Sequence, residues 1–205
     1  MGVTNLSGLQ VAGVPTMGMG GAPFLTGTWY FVDAVYGSDG NEGTADSPLA
    51  TIATAYAKCV EGKNDVVVLV GHPTTASSST GTHRLSAQLL WAKSATHMIG
   101  ICAPTQIGQR ARISHATTAT TNIADLFKVT ASGCYFGNFS IFQGTGEAAT
   151  AEKLCQITGS RNYFENVAFQ GMGSAVGAAV AAGYSLYLNG ASENTFIGCQ
   201  IGVDT

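Results

Sequence analysis

Short apolar runs, separated by turns rich in Gly, Ser, Asn and Asp, recur along most of this 205-residue sequence. Tyr30–Val32 and Val66–Val70 consist of β-branched, aromatic and aliphatic residues, which is typical of strands. The second run has no polar residue, which predicts a strand covered on both faces. Gly37–Gly43, between them, has the composition of a loop.

One helix is predicted between these two strands. Ser47-Pro48 can begin it, because a Ser oxygen can cap free backbone N–H groups and Pro fits the first helical position. Ile52, Tyr56 and Cys59 then share one face at helical spacing, and Gly62 ends the helix. An ordinary strand–helix–strand unit of an α/β domain has the same pattern, so that alternative stays open.

The last third of the sequence contains a repeat. Phe136, Phe164 and Phe196 recur at intervals of 28 and 32 residues, and further apolar or small residues follow each Phe by three and by five positions. Side chains of a strand alternate between its faces, so these positions are predicted to point inward and to form columns from coil to coil. The predicted core columns contain Phe136, Phe164, Phe196, Phe139, Val167, Cys199, Ile141, Phe169 and Ile201.

A corner is predicted within each repeat. Asn138, Asn166 and Gly198 occupy equivalent positions between the first and second apolar residue, where a left-handed backbone is wanted. A repeat of this length indicates a solenoid of stacked coils. The alternative is a β-sandwich in which the similarity arises by chance.

The N-terminal module also carries a family resemblance. Its motif residues are Val32-Asp33, Gly37-Ser38-Asp39, Asn41, Gly43-Thr44, Ser47-Pro48, Thr51-Ile52, Gly62, Asp65, Val66 and Val68. This pattern resembles the N-terminal part of pectate-lyase-like right-handed parallel β-helices. The resemblance implies an all-β fold, a right-handed single-stranded parallel β-helix whose short N-terminal helix caps the open end of the solenoid, as terminal units of solenoids require.

The chain is expected to divide into an extended N-terminal arm, residues 1–28, and a β-helix domain, residues 29–205. The domain comprises the N-terminal module (29–70), irregular coils and loops (71–125) and regular coils (126–205). The arm is rich in glycine and too apolar to stay exposed, so we expect it to lie along a neighbouring subunit; a floppy leader is the alternative. Its expected contact residues are Leu6, Leu9, Val11, Val14, Met17, Met19, Phe24 and Leu25.

Charge limits the range of partners. Only 10% of the residues are charged, against roughly 25% in average soluble domains, so we expect other protein to cover much of the surface. A net charge of −3 with nine scattered basic residues predicts no nucleic-acid binding.

The sequence shows neither a secretion-signal pattern nor an apolar run long enough to span a membrane. Five cysteines without a C-x-x-C pair predict buried, reduced thiols and a reducing compartment.

Catalytic chemistry is sparse in the sequence. The resemblance implies acidic metal ligands on a strand face in enzymes of the family, but Glu165 is the only carboxylate within the aligned repeats and Glu193 is out of register with it. Glycoside hydrolysis needs two carboxyl groups at a defined separation, and the four histidines are dispersed. We therefore expect no enzyme activity, no metal and no cofactor. Asp39, Asn41 and Glu42 are expected to stabilise a turn rather than to hold calcium.

These features resemble the β-helical proteins of tailed-bacteriophage virions. The resemblance implies a homotrimeric capsid decoration or cement protein, located in the virion after assembly in the host cytoplasm. Its arm would bind the major capsid protein or another virion protein. The alternative is a tailspike-type protein that binds or depolymerises polysaccharide. A carbohydrate-binding module without catalysis is intermediate between the structural protein and the depolymerase. Because the sequence stops soon after the third repeat, we expect further residues or another chain to cover that end.

Overall fold

The computed structural model describes residues 27–72, 81–102, 111–116, 123–143, 153–172 and 183–202. It also describes the backbone of two short strands near the N-terminus, β1 (Gln10–Val11) and β2 (Val14–Pro15), which pair antiparallel. The rest of the predicted arm lies outside the described residues, so its extended course remains a prediction.

Three parallel sheets form the body of the protein. Sheet one contains β3 (Trp29–Val32), β4 (Val66–Val70), β7 (His97–Ile101), β10 (Tyr135–Gly137), β13 (Tyr163–Glu165) and β16 (Thr195–Ile197). Sheet two contains β5 (His83–Leu85), β8 (Arg112–His115), β11 (Ser140–Gln143), β14 (Ala168–Met172) and β17 (Gln200–Ile201). Sheet three contains β6 (Leu89–Trp91), β9 (Asp125–Val129), β12 (Lys153–Ile157) and β15 (Tyr184–Leu188).

From β4 onward the chain visits sheets one, two and three in turn, and each strand pairs in parallel with its counterpart one coil later. This winding is a parallel β-helix, and the predicted fold class is confirmed. The α/β domain is excluded because it has no coils that recur through three sheets. The β-sandwich is excluded because its sheets are built on antiparallel pairing.

The helix α1 spans Ile52–Lys58 and begins later than predicted. Its N-cap is Thr51, whose hydroxyl oxygen accepts the N–H of Thr54, and Ser47-Pro48 lies before it in the loop. The cause is Asp39, whose carboxylate accepts the N–H and the hydroxyl hydrogen of Thr51 and thereby fixes the turn before the helix. The expected turn-stabilising role of Asp39 is confirmed.

The helix caps the solenoid, as predicted. It lies between β3 and β4, where later coils have strands of sheets two and three, and it buries Ile52 and Ala55. The Tyr56 ring stacks on Trp91 of β6, with centroids 4.2 Å apart. The ammonium of Lys93 donates to the carbonyl oxygens of Tyr56, Ala57 and Cys59 at the C-terminal end of the helix. No helix among the described residues is long and apolar enough to cross a membrane.

The predicted core columns are present. The ring centroids of Phe136 and Phe164 are 4.8 Å apart, as are those of Phe164 and Phe196, and both pairs are stacked. The fully buried members are Phe136, Phe164, Phe139, Val167, Ile141 and Phe169.

The last described coil departs from the prediction. Phe196 and Cys199 are only partly buried, and Ile201 is 56% exposed although it is in register with the buried Phe169. The reason is that β17, within the described part of the chain, has a paired neighbour on one side only.

The corner between sheets one and two is as predicted. Asn138, Asn166 and Gly198 have φ values of 60°, 51° and 60°. A Cβ on Gly198 would lie 2.6 Å from Oδ1 of Asn166, so the close stacking of successive corners also favours glycine there.

The thiols fit the prediction in part. Cys59, Cys134 and Cys155 are buried and free, and Cys102 and Cys199 are free but only partly buried. Burial raises the pKa of the Cys59 thiol to about 12, which keeps it protonated and unreactive.

Candidate functional site

The predicted partner-binding residues of the arm lie outside the described residues, except for the backbone of Val11 and Val14 in β1 and β2. Their role therefore remains a prediction. The predicted core residues serve packing and not ligand binding, since their side chains fill the solenoid.

The histidines are less dispersed in the fold than in the sequence. Nε2 of His72 lies 2.8 Å from Oδ1 of Asp33, although the two residues are 39 positions apart. The same oxygen accepts the backbone N–H groups of Val35 and Tyr36. Burial opposes ionisation of Asp33, but these hydrogen bonds prevail and lower its pKa below the ordinary value. Asp33 therefore both closes the turn that follows β3 and positions the His72 ring.

His83 belongs to the same end of the solenoid but points inward. Its Nε2 donates to the carbonyl oxygen of Val70, and its Nδ1 is buried without a hydrogen-bond partner. Burial lowers the pKa of His83 to about 4, so the ring is neutral at neutral pH. His83 therefore belongs to the interior of the first coil. The partly exposed polar contact at this end of the solenoid is the one between Asp33 and His72.

The outer face of sheet two carries the most unusual polar arrangement. Ile113, Ile141 and Phe169 point into the core, so the alternating residues of the same strands face outward. These outward residues, called the sheet-two face below, are Arg84, Arg112, Ser114, Ser140, Phe142, Ala168, Gln170 and Gln200.

Several polar atoms of the sheet-two face are buried and unpaired. Gln170 is 1% exposed, and neither its amide oxygen nor its amide nitrogen has a hydrogen-bond partner among the described residues. The same holds for Oγ of Ser140 and Oε1 of Gln200. An unpaired buried polar group costs about 1–3 kcal/mol. Such atoms lower stability unless a ligand or bound water supplies the missing partners, which makes the face a candidate site.

Two arginines lie at the N-terminal end of this face. Nη1 of Arg84 donates to the Ser114 hydroxyl and to the carbonyl oxygen of His115. The guanidinium of Arg112 lies 5.8 Å from the centroid of the Phe142 ring. Burial and the nearby charge of Arg112 lower the pKa of Arg84, although an arginine still stays charged. The face therefore combines positive charge, an aromatic ring and amide groups.

Connection lengths also single out sheet two. Five internal ranges lie outside the described residues: 73–80, 103–110, 117–122, 144–152 and 173–182. Each of them begins or ends next to a sheet-two strand, with at most two residues between. The connections from sheet three to sheet one are short and fully described: 92–96, 130–134, 158–162 and 189–194. The connections between sheets three and one therefore differ by at most one residue, and the longer connections adjoin strands of sheet two.

The carboxylates singled out in the sequence have other partners. Glu165 lies on the outer face of sheet one and accepts the Tyr135 hydroxyl at 3.0 Å. Glu193 lies in a turn and pairs with Arg161. In the described part of the chain, no three His, Cys, Asp or Glu side chains are placed to hold a metal ion. That no cofactor is needed stays a prediction.

Sequence comparisons are negative: no protein-family model matches the chain, and no curated protein sequence matches it. Solved structures do match. A rhamnogalacturonan lyase superposes with a TM-score of 0.54 at 19% identity, over 84% of this chain and 51% of the lyase. A pectin methylesterase in complex with a hexasaccharide has a TM-score of 0.54 at 18% identity, over 83% of this chain and 48% of the esterase. The chain thus spans about half the length of these two structures.

These matches show the fold alone, and they confirm the pectate-lyase-like parallel β-helix at that level. They contradict the expectation that the chain is not an enzyme, since the fold is shared with a lyase and an esterase. That expectation rested on the scarcity of paired carboxylates along the repeats, whereas the shared fold points weakly to enzyme activity. Asp33 and His72 come together only through the fold, so their distance along the sequence concealed them.

Proposed function

We propose that this protein binds an oligosaccharide along the sheet-two face. The observation that carries the proposal is the row of buried, unpaired polar atoms on Ser140, Gln170 and Gln200. A sugar chain presents hydroxyl groups that both donate and accept, so it can satisfy an amide oxygen and an amide nitrogen at once. The pectin methylesterase of similar fold was crystallised with a hexasaccharide, which supports this class of ligand.

The spacing of the face suits a chain-like ligand. Coils follow one another at about 4.8 Å, the distance between strands in a sheet. Ser140, Ala168 and Gln200 are register partners on three successive coils. Because Ser140 and Ala168 are buried, a ligand lying along the solenoid axis would first contact the partly exposed side chains of Arg112, Phe142 and Gln200.

Replacement of Gln170 by Leu tests this proposal. The substitution removes two unpaired polar atoms from a buried site at similar volume, so we expect a higher unfolding temperature. Binding of oligosaccharides from pectin and from bacterial surface polysaccharides, measured by calorimetry, should weaken about tenfold or more because the ligand loses its amide partners. Thr195→Val is the matched control, a polar-to-apolar change at an exposed position of sheet one. Equal binding by the wild type and Gln170→Leu, or no binding by either, would contradict the proposal.

We propose a role in a virion as the second candidate. In that role the protein is a homotrimeric capsid decoration protein whose arm binds the major capsid protein. What supports it is the low content of charged residues, 10% of the chain, together with the resemblance of the sequence to β-helical virion proteins.

Two measurements test the second candidate. Light scattering gives the oligomeric state of the full chain, and co-sedimentation measures association with phage particles. Deletion of residues 1–25 should abolish that association. A monomer in solution, or a deletion variant that still decorates particles, would contradict this role.

A further inference from the structure

The outer face of sheet three carries two stacked tyrosines beside two lysines. The rings of Tyr184 and Tyr187 are stacked, with centroids 5.1 Å apart, and Tyr184 is 40% exposed. Nζ of Lys153 lies 5.6 Å from the centroid of the Tyr187 ring. An aromatic surface next to an ammonium group offers both an apolar platform and a positive charge.

The charges of this cluster do not balance. Lys153 lies 3.4 Å from Oδ1 of Asp125, and Lys128 lies 3.8 Å from Oδ2 of the same carboxylate. Among the described residues, one carboxylate thus serves two ammonium groups, which leaves one positive charge in excess there on a protein whose net charge is −3. The side chains of Lys128 and Lys153 remain 31% and 22% exposed, so an anion can approach them.

Strand register builds the cluster and fixes its size. Asp125, Lys153 and Tyr184 are partners on three successive coils, and Lys128 and Tyr187 belong to the neighbouring outward column. Three coils span roughly 10 Å at the usual strand spacing, which is the length of about two sugar rings. The tyrosines lie on the last of these coils, and the lysines lie on the two coils before it.

We propose that this cluster is a second subsite, one that binds a carboxylate-bearing sugar. The ring of the sugar packs on Tyr184, and its carboxylate pairs with Lys153 and Lys128. The inference rests on the proposed function in taking a sugar chain as the ligand, but it uses a different sheet and different side chains. This second subsite makes the protein selective for acidic over neutral oligosaccharides.

The test compares one hexasaccharide in two forms, with free carboxylates and with those carboxylates methyl-esterified. For the wild type we expect about threefold to tenfold tighter binding of the acidic form at low salt, since partly exposed ion pairs contribute modestly. Added salt should reduce this preference. The double variant Lys128→Gln with Lys153→Gln should bind both forms equally. The double variant Lys58→Gln with Lys63→Gln removes the same two charges from exposed positions and should keep the preference.

Tyr184→Ala provides a second variant that retains all the charges. It should weaken binding of both forms, because it removes the ring platform and leaves the lysines in place. Equal binding of the two forms by the wild type would overturn the subsite while leaving the sheet-two proposal intact. A preference that survives in the double lysine variant would overturn it as well. Loss of all binding in Gln170→Leu alone would support the first site independently of the second.

Discussion

The side-chain amide oxygen of Asn194 accepts the backbone N–H of Asn162, one coil earlier, at 2.9 Å. Asn162 repeats this contact with the N–H of Cys134, also at 2.9 Å. Asp65, at the start of β4, accepts the N–H of Thr28 with its carboxylate at 2.7 Å. The same position of the turn into sheet one is thus used on several coils to hold each coil in register with the one before.

Replacement of Asn162 by Ala should lower the free energy of unfolding by about 2–3 kcal/mol. The reason is that Asn162 is 1% exposed, and its loss leaves the N–H of Cys134 and the carbonyl oxygen of Ala131 unpaired in the interior. Urea denaturation measures the change. Asn194→Ala removes the equivalent contacts at a more exposed position, so a smaller loss is expected there. If both variants lost the same stability, burial would not be the deciding factor.

Phe164→Ala should cost about 3–5 kcal/mol, the usual range for removing a buried Phe. The ring of Phe164 stacks on Phe136 and on Phe196, each at 4.8 Å, and it also contacts Phe169. Phe196→Ala should cost less, because Phe196 is only partly buried. Urea denaturation of the two variants gives the comparison, and a larger loss for Phe196→Ala would contradict the packing described.

Stability should fall as the pH decreases from about 6.5 toward 5. His83 and His97 have pKa values lowered by burial to about 4, whereas an unfolded histidine has the ordinary value of 6.5. Between pH 6.5 and about 4 the unfolded chain binds protons that the folded chain does not. The contribution of these histidines to the free energy of unfolding is therefore complete above pH 6.5 and decreases as the pH falls below it. Each histidine contributes about 1.4 kcal/mol per pH unit in this window.

Thermal unfolding across this pH range measures the effect. His97 accepts the N–H of Tyr135 at Nδ1 and donates from Nε2 to Asn64, so it is neutral in the fold. His97→Gln should reduce the pH dependence of the unfolding temperature by about half. If that variant fails to fold, an NMR titration of the His97 ring in the wild type tests the same prediction. Protonation of His97 near pH 6.5 in the folded protein would refute the prediction.

Lys93→Met should loosen the capping helix. The ammonium of Lys93 bonds to three carbonyl oxygens at the C-terminus of α1, and such charged hydrogen bonds contribute about 1.5–3 kcal/mol each at most. We expect faster amide exchange in α1 and a change in Trp91 fluorescence, because Tyr56 stacks on that ring. Lys58→Met, at the exposed end of the same helix, should leave both signals unchanged.

The regular coils could be predicted from the sequence because the residues that form their core and their corners recur at nearly constant intervals. Phe136, Phe164 and Phe196 differ little in local context, and Asn138 and Asn166 precede the same corner each time. The start of α1 was missed for the opposite reason. Asp39 sets it through hydrogen bonds to Thr51, twelve residues away, and no local capping preference reveals such a contact.

One periodic signal was present and went unrecognised. Ser132, Ser160 and Ser192 each precede, by two positions, a member of the series Cys134, Asn162 and Asn194. In the fold these serines bond from coil to coil: Oγ of Ser132 accepts the N–H of Ser160, and Oγ of Ser160 accepts that of Ser192.

The candidate sites could not be found in this way. Asp33 and His72 meet across 39 residues, and the sheet-two face joins residues from five strands. The sheet-two face repeats in position but not in residue type, since Ser140, Ala168 and Gln200 are register partners, so both sites become visible only when the coils are stacked in register.

The short turns between sheets three and one differ by a single residue in length, whereas every long connection adjoins sheet two. Parallel pairing of each strand with its counterpart one coil later thus tolerates connections of different length beside sheet two. Replacement of residues 144–152 or 173–182 by segments of another length should leave the pairing of β11 with β14 and of β12 with β15 unchanged. A scaffold of this kind separates the stacking of its coils from the length of the connections between them.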